Sequence, residues 1–198
     1  MSPSKPRRKL VWWVRWLHTY VSLAGFGALI FFSLTGITLN HAEWFEGVES
    51  TTERAGTAPT HLLAETAGPA AGIALMDWLR NTEHLNGHPG EPLADEFEMS
   101  ISFEGAGYIA DVVIDRESGE YSVLETRRGL VAVMNDLHKG RHTSFAWDLL
   151  IDVSAFILTL SGATGIWLLW FLKKIRLQGL LWAVGGTAIL FFAYFAWQ

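Results

Sequence analysis

The sequence contains no cysteine, and this absence excludes several classes of protein at once. Disulfide scaffolds, iron–sulfur clusters, zinc–thiolate sites and covalently attached c-type haem all require cysteine. Any bound metal must therefore be held by histidine, carboxylate or methionine. The chain also lacks a GxGxxG fingerprint followed by an acidic residue, so a nucleotide or flavin cofactor would belong to a separate protein. It has no nucleophile–base motif for covalent catalysis either.

Strong charge of either sign is absent too. The net charge at pH 7 is only −5 over 198 residues, and the charges are segregated along the chain. The basic residues form no stripe that would follow a nucleic-acid backbone. We therefore expect no nucleic-acid partner.

What the sequence has in abundance is apolar and aromatic side chains, with half its residues hydrophobic and ten tryptophans and twelve phenylalanines among them. Three apolar runs, residues 10–40, 144–172 and 177–197, each reach the length of about 20 residues that a helix needs to cross a bilayer. They predict three transmembrane helices and the lipid bilayer as a partner.

Basic residues flank these runs and predict their orientation. The N-terminal segment 1–9 contains "KPRRK" and the short loop 173–176 contains "KKIR". Because basic loops stay on the cytoplasmic side, we expect both segments in the cytoplasm and residues 41–143 outside. The first run has no small-residue cleavage pattern, so it is expected to be an uncleaved signal anchor.

The segment 41–143 is polar enough to form a small domain. Helical spacing predicts a helix over 68–83 and another over 129–140. The alternating run 97–104 and the pair of runs around "RESGE" predict a strand and a hairpin. Residues 51–60 are expected to be a mobile linker. The predicted fold is three transmembrane α-helices with an external α+β domain between helices 1 and 2.

Seven histidines separate into two groups. His61, His84 and His88 lie in polar, turn-rich sequence and are expected at the surface. His18 lies inside the first apolar run, where ionisable groups are costly and therefore often functional. Ser22, Gly25 and Gly36 share its helical face, which leaves room either for a flat macrocycle or for a closely packed helix.

The other three histidines mark the opposite end of the predicted helices. His41 ends the first run, and His138 and His142 precede the second with HxxxH spacing on one predicted helical face. Two facing histidines are the usual axial ligands of low-spin haem b. Zinc or copper would suit an HxxxH pair with a third histidine as well, and capping histidines are the structural alternative.

Charged residues near these histidines have predicted roles of their own. Lys139 and Arg141, with Arg127 and Arg128, are cations that suit haem propionates. Asp148 and Asp152 are one turn apart in the second predicted span, where structural anchoring and proton transfer are both open.

The segments "RWLHTYVSLAGF" to "SLTGITLNH" and "NDLHKGRHTSFAWDLLIDVSAFILTLSGATGIWLLW" resemble the PepSY-associated transmembrane proteins, in particular their short form. With the external α+β unit, the resemblance covers nearly the whole chain. It implies a bacterial inner-membrane protein with a periplasmic PepSY-like domain. It also implies haem b, bound through His18, His41, His138 and His142, and a role in reducing ferric iron or ferric siderophores. The electron donor is not identified by the sequence.

Two further expectations concern assembly and the class of function. His18 and His41 are about 23 residues, or roughly 35 Å, apart on one helix, so no single haem can use both. A homodimer in which each protomer contributes His18 would complete an inner haem site. The alternative from another class is a non-catalytic, membrane-anchored interaction module in which the histidines are structural.

Overall fold

The computed structural model describes residues 5–45, 47–63 and 68–197. The chain divides into a helical unit, Met1–Phe31 with Leu150–Gln198, and a second unit, Phe32–Leu149. In chain order the elements are α1 (Lys5–Asn40), β1 (Glu49–Thr57), α2 (Gly68–Glu83), β2 (His88–Pro89), β3 (Leu93–Ala94), β4 (Glu98–Gly105), β5 (Tyr108–Asp115), β6 (Glu120–Arg128), α3 (Leu130–Lys139), α4 (Phe145–Phe171) and α5 (Arg176–Ala196).

Three of the described helices are long and apolar enough to cross a membrane. They are Arg8–Asn40 within α1, all of α4 and all of α5, and each reaches a mean hydropathy of 1.8. Their lengths satisfy the requirement of about 20 residues for a hydrocarbon core. The prediction of three such helices, with an antiparallel sheet between the first and the second, is confirmed.

Small side chains set how closely the helices of the helical unit approach one another. A Cβ atom added to Gly25 of α1 would lie 2.8 Å from Cγ2 of Ile157 in α4, closer than real contacts allow. Close by, the hydroxyls of Ser22 and Ser161 are 2.6 Å apart. Lipid provides no hydrophobic force between helices, so such contacts hold the pair together. On this face of α1 the packing alternative for Ser22 and Gly25 is the one observed.

The second unit is built on an antiparallel sheet with the strand order β1-β6-β5-β4-β2, and β3 also pairs with β4. The predicted hairpin is confirmed as β5 and β6, with Val112 opposite Val123. Buried and exposed residues alternate along β5, as expected for a sheet with one covered face. Gly119, at φ +79°, makes the turn between these strands, where a residue with a Cβ would be strained.

Helix α2 and one face of the sheet together form the core of this unit. Leu75 and Leu79 on α2 are fully buried, as are Phe103, Val112 and Val123 on the sheet. The predicted helix over 68–83 is confirmed at both ends. Its apolar residues recur at helical spacing, so one stripe of the helix can cover the sheet.

Two predictions about this unit are wrong. Residues 51–57 of the expected mobile linker belong to β1, which pairs with β6 from Glu49↔Arg128 to Thr57↔Glu120. The strand was missed because it is polar and mostly exposed, without the alternation that marks a half-buried strand. The alternating run 97–104 placed Phe97 on the buried face of its strand. In the structure Phe97 precedes β4 and is 72% exposed.

Candidate histidine sites

His138 and His142 do not share a helical face, contrary to the HxxxH prediction. Helix α3 ends at Lys139, and Gly140 is its left-handed C-cap at φ 64°. His142 lies in the following turn at φ 54°, a backbone region that residues other than glycine seldom adopt. The glycine ends the helix because it reaches this conformation without a steric penalty. The two imidazoles therefore have separate surroundings.

His138 faces the C-terminal end of α1. Its Nδ1 is 2.5 Å from the hydroxyl of Thr35, a residue that is only 1% exposed. The ring meets Phe32 edge-on at 5.1 Å between centroids, and a Cβ on Gly36 would lie 3.8 Å from its Cε1. Gly36, predicted to share the helical face of His18, lies beside His138. Nearby, Thr38 donates a hydrogen bond to Asn135 of α3 at 2.6 Å.

His142 is held by a carboxylate of the sheet. Its Nδ1 lies 2.6 Å from Oε2 of Glu104 in β4, and the imidazole side chain is 22% exposed. Because a carboxylate accepts, Nδ1 carries the hydrogen of this bond. The contact fixes the ring orientation and leaves Nε2 with its lone pair when the ring is neutral.

His41 lies one residue beyond the end of α1. Its ring stacks on Trp44 with centroids 4.0 Å apart and planes at 6°. Its Nδ1 is 3.4 Å from Oε1 of Glu43, and the two side chains are 36% and 60% exposed. This is a long, solvated contact that contributes little to stability. The stacking on Trp44 is what orients the ring.

In the helical unit, His18 packs against α4. Its Nδ1 lies 3.1 Å from the backbone carbonyl of Ser161 and 3.0 Å from the hydroxyl of Thr164. The hydroxyl of Thr164 also reaches the carbonyl of Leu160 at 2.8 Å, so it can donate there and accept from His18. A carbonyl only accepts, which assigns the hydrogen to Nδ1. Gly165 provides the space, since a Cβ there would lie 3.2 Å from Cε1 of His18.

The four candidate histidines share one feature. In each of them Nδ1 is the ring nitrogen in contact with a protein group, namely Ser161 and Thr164, Glu43, Thr35 or Glu104. His61, His84 and His88 are exposed, as predicted. In the described part of the chain these three make no such side-chain contact. The sequence gives no signal for the partners, because all but Glu43 are distant along the chain.

A conventional metal-ion site has no geometric basis in the described residues. Within residues 5–45, 47–63 and 68–197, no group of three histidine, aspartate or glutamate side chains converges as ligands of an ion. Zinc and copper sites need three or four such ligands. The zinc or copper alternative therefore loses the support that the HxxxH spacing gave it.

The predicted propionate cations lie in two different environments. Arg127 donates a hydrogen bond to the buried Glu125 at 2.7 Å, so its charge is paired with a carboxylate of the sheet. Burial of Glu125 disfavours its charge, but hydrogen bonds from Arg127 and Arg54 outweigh this and lower the pKa of the carboxyl. Lys139 and Arg141 instead line a cavity of about 710 Å³ beside the end of α1.

Asp148 and Asp152 lie in the N-terminal part of α4, and both side chains are exposed. Asp148 accepts a hydrogen bond from the hydroxyl of Thr143 at 3.1 Å. It lies in the first turn of α4, where a carboxylate is stabilised by the free amide groups of the helix N-terminus. Asp152 is exposed on the surface of the same helix. For Asp148 these contacts favour structural anchoring.

The chain matches the model of a known protein family. A family model described as "Putative PepSY_TM-like" matches residues 12–197, which includes most of the first apolar helix, all of the other two and the sheet between the first two. Searches of curated proteins and of solved structures give no match. Since the family match spans nearly all of the sequence, this chain is a membrane protein that belongs to the PepSY_TM-like family.

Proposed function

We propose that the protein binds haem b through Nε2 of its membrane-associated histidines and carries electrons to ferric iron or ferric siderophores. The observation that supports this is the Nδ1 contact of His18, His41, His138 and His142. Histidines that ligate a metal nearly always donate their other ring N–H to a carbonyl, carboxylate or similar group. The exposed histidines of the described chain lack this arrangement.

The residues present fit such a group in two respects. A neutral imidazole with hydrogen on Nδ1 has its lone pair on Nε2, the nitrogen that is used for axial ligation. In addition, Gly165 lies directly beside the ring of His18, where a larger residue would crowd it, and Gly36 lies beside the ring of His138. Close packing of α1 on α4 at Gly25 favours haem binding away from that interface rather than within it.

The protein groups around the histidines have a chemical role in this proposal. Bound haem supplies one-electron redox chemistry. Glu104 makes the imidazole of His142 a stronger electron donor, because its carboxylate draws the hydrogen on Nδ1. Ser161 and Thr164 hold the His18 ring in one orientation. Ferric iron is bound by siderophores far more tightly than ferrous iron, so transfer of a single electron suffices to release it.

The proposed histidine pairs and the proposed membrane topology rest on positions in the sequence. His41 pairs with His138 or His142 at one end of the spans, and His18 pairs with His18 of a second copy in a homodimer. The basic segments "KPRRK" and "KKIR" support a cytoplasmic N-terminus and a periplasmic α+β domain in a bacterial inner membrane. Electrons would come from a separate donor protein and leave on the periplasmic side.

A second candidate function is a membrane-anchored interaction module. It is favoured by the same contacts, since each candidate histidine already bonds a protein group and can be purely structural. His18 in particular satisfies its Nδ1 within the contact between α1 and α4. In that case the α+β domain binds a partner and no electron moves.

The visible spectrum of the purified full chain separates the two functions. We expect a Soret band that shifts and sharpens on reduction with dithionite, with the narrow visible bands of low-spin haem. Reduced protein mixed with a ferric chelate should reoxidise while a ferrous-specific chelator gains colour. A colourless protein from haem-supplied cells contradicts haem binding. Reduced haem that ignores every ferric chelate contradicts the reductase role alone.

A further inference from the structure

A cavity of about 710 Å³ opens in the unit Phe32–Leu149 beside the end of α1. Its wall begins at Leu39, in the last turn of a helix long and apolar enough to span a membrane, and continues through Ala42 and Phe45. Helix α3 supplies further lining residues between Leu130 and Lys139. The size of the cavity is in the range of pockets that hold small molecules.

Cations dominate the charged lining of this cavity. Lys139 and Arg141 are exposed, and within the described residues neither forms an ion pair. Arg128 lies 3.7 Å from the buried carboxylate of Asp136, which also accepts the backbone N–H of Gly107 at 2.9 Å. Asp136 is thus neutralised by groups already present. Among the described lining residues, Glu49, exposed at the start of β1, is the remaining counter-charge.

The cavity also exposes apolar side chains to an unusual degree. Phe45 is 38% exposed, Val48 63% and Leu130 74%. The neighbouring Trp44 is 64% exposed and stacks on His41. Exposed aromatic residues next to the end of a span are typical of the membrane–water interface. Water alone would make these positions unfavourable, whereas acyl chains would cover them.

Histidine is absent from the described lining of the cavity, which separates these cations from the candidate iron ligands. Although His138 and His142 are neighbours of Lys139 and Arg141 in sequence, their Nδ1 atoms bond Thr35 and Glu104 instead. The exposed cations Lys139 and Arg141 are therefore available to a separate anion.

We infer that this cavity binds the phosphate of an anionic phospholipid, with Lys139 and Arg141 around the headgroup and the acyl chains against Phe45, Val48 and Leu130. Basic pockets beside membrane helices bind anionic lipid headgroups in this way. A free phosphate would satisfy the cations but leave the apolar wall in water, so the lipid is favoured. The inference does not depend on haem.

The test uses the full chain in neutral detergent, titrated with short-chain phosphatidylglycerol and followed by native mass spectrometry. Phosphatidylcholine of equal chain length and inorganic phosphate are the comparison probes. The cavity variant combines Lys139→Gln with Arg141→Gln. The matched control combines Lys173→Gln with Lys174→Gln and removes two charges from the loop between α4 and α5. All variants are first checked for unchanged melting temperature, and exposed lysine and arginine side chains should tolerate this change.

Wild type should bind one phosphatidylglycerol more tightly than phosphatidylcholine. The cavity variant should lose about 30-fold in affinity, because each cation near a lipid headgroup contributes a factor of about five. The control should keep the site, and Glu49→Gln should tighten it. Equal weakening in both double variants would overturn the inference, as would displacement of the lipid by equimolar phosphate. If haem is present and the cavity variant loses it, the cations hold propionates, and the lipid site is refuted.

Discussion

The helical unit and the sheet unit bury different kinds of residue. In the sheet unit most of the fully buried side chains are large and apolar, such as Leu79 and Phe103, and the polar Thr35 is an exception. In the helical unit the buried residues include Ser154 and Thr164, while many of its large apolar side chains are exposed. Water drives the first kind of packing, whereas lipid gives helices no hydrophobic reason to associate. Small residues and hydrogen bonds must therefore specify the helical unit.

The largest effect is expected from a cavity in the core of the sheet unit. Phe103→Ala removes a side chain with no exposed surface and should lower the free energy of unfolding by about 3–5 kcal/mol. Phe97→Ala is the matched control, because Phe97 is 72% exposed. Denaturant unfolding of the full chain, followed by circular dichroism, measures both. Equal losses would mean that this sheet face does not form the core.

In the helical unit, adding a side chain where two helices touch should destabilise the fold more than adding one at an open position. Gly25→Ala forces a Cβ to within 2.8 Å of Ile157 and should destabilise the helix pair by about 1–3 kcal/mol, the usual cost of overpacking. Gly27→Ala is the control on the same helix, since its Cβ would meet nothing within 4 Å. Melting temperature in detergent reports the difference. Similar melting of the two variants would contradict close contact between α1 and α4 at Gly25.

A buried ion-pair network gives the sheet unit an acid sensitivity. Glu125 accepts from Arg127 and pairs with Arg54 at 2.7 Å, and its folded pKa is lowered below the ordinary 4.5. A lowered carboxyl pKa stabilises the fold fully above pH 4.5, and this contribution is lost as pH falls through the folded value.

Glu125→Gln should therefore cost about 1–3 kcal/mol near pH 7, because two arginines lose their charged partner, and less in acid. Melting curves of wild type and variant, taken between neutral and acidic pH, should converge as pH falls. A difference that is constant with pH would show that the carboxylate charge is irrelevant to stability.

The smallest effect is expected on the reduction potential, through the hydrogen bond between Glu104 and His142. In haem-loaded protein, Glu104→Gln should raise the reduction potential by on the order of 30–60 mV, because the imidazole of His142 becomes a weaker donor. Redox titration of the visible spectrum measures it, and Glu98→Gln on the same strand is the control. Should the potential stay unchanged while haem remains bound, His142 is not an axial ligand.

Sequence reasoning succeeded where one physical pattern dominates. Long apolar runs predicted the three candidate spans, and alternation around "RESGE" predicted β5 and β6. It failed at β1, an edge strand whose polar residues leave no periodic signal. It also failed at the HxxxH pair, although Gly140 was a visible C-cap signal.

The histidine surroundings illustrate what a sequence does not contain. The small residues near His18 were recognised, but not that they pack against α4. Its contact with Ser161 joins residues 143 positions apart, and no local rule pairs them. Likewise, the left-handed conformation of His142 and its bond to Glu104 depend on where the sheet lies. Such contacts follow from tertiary structure alone.

The central claim is that histidines with a bonded Nδ1 are iron ligands, and the haem-to-protein ratio across single histidine variants tests it most directly. The full chain, expressed with ample haem, is purified as wild type and as seven His→Ala variants. The account predicts a lower ratio for His18, at least one of His138 and His142, and His41. It predicts an unchanged ratio for His61, His84 and His88. A folded wild type without haem, or a ratio that no variant changes, would contradict it.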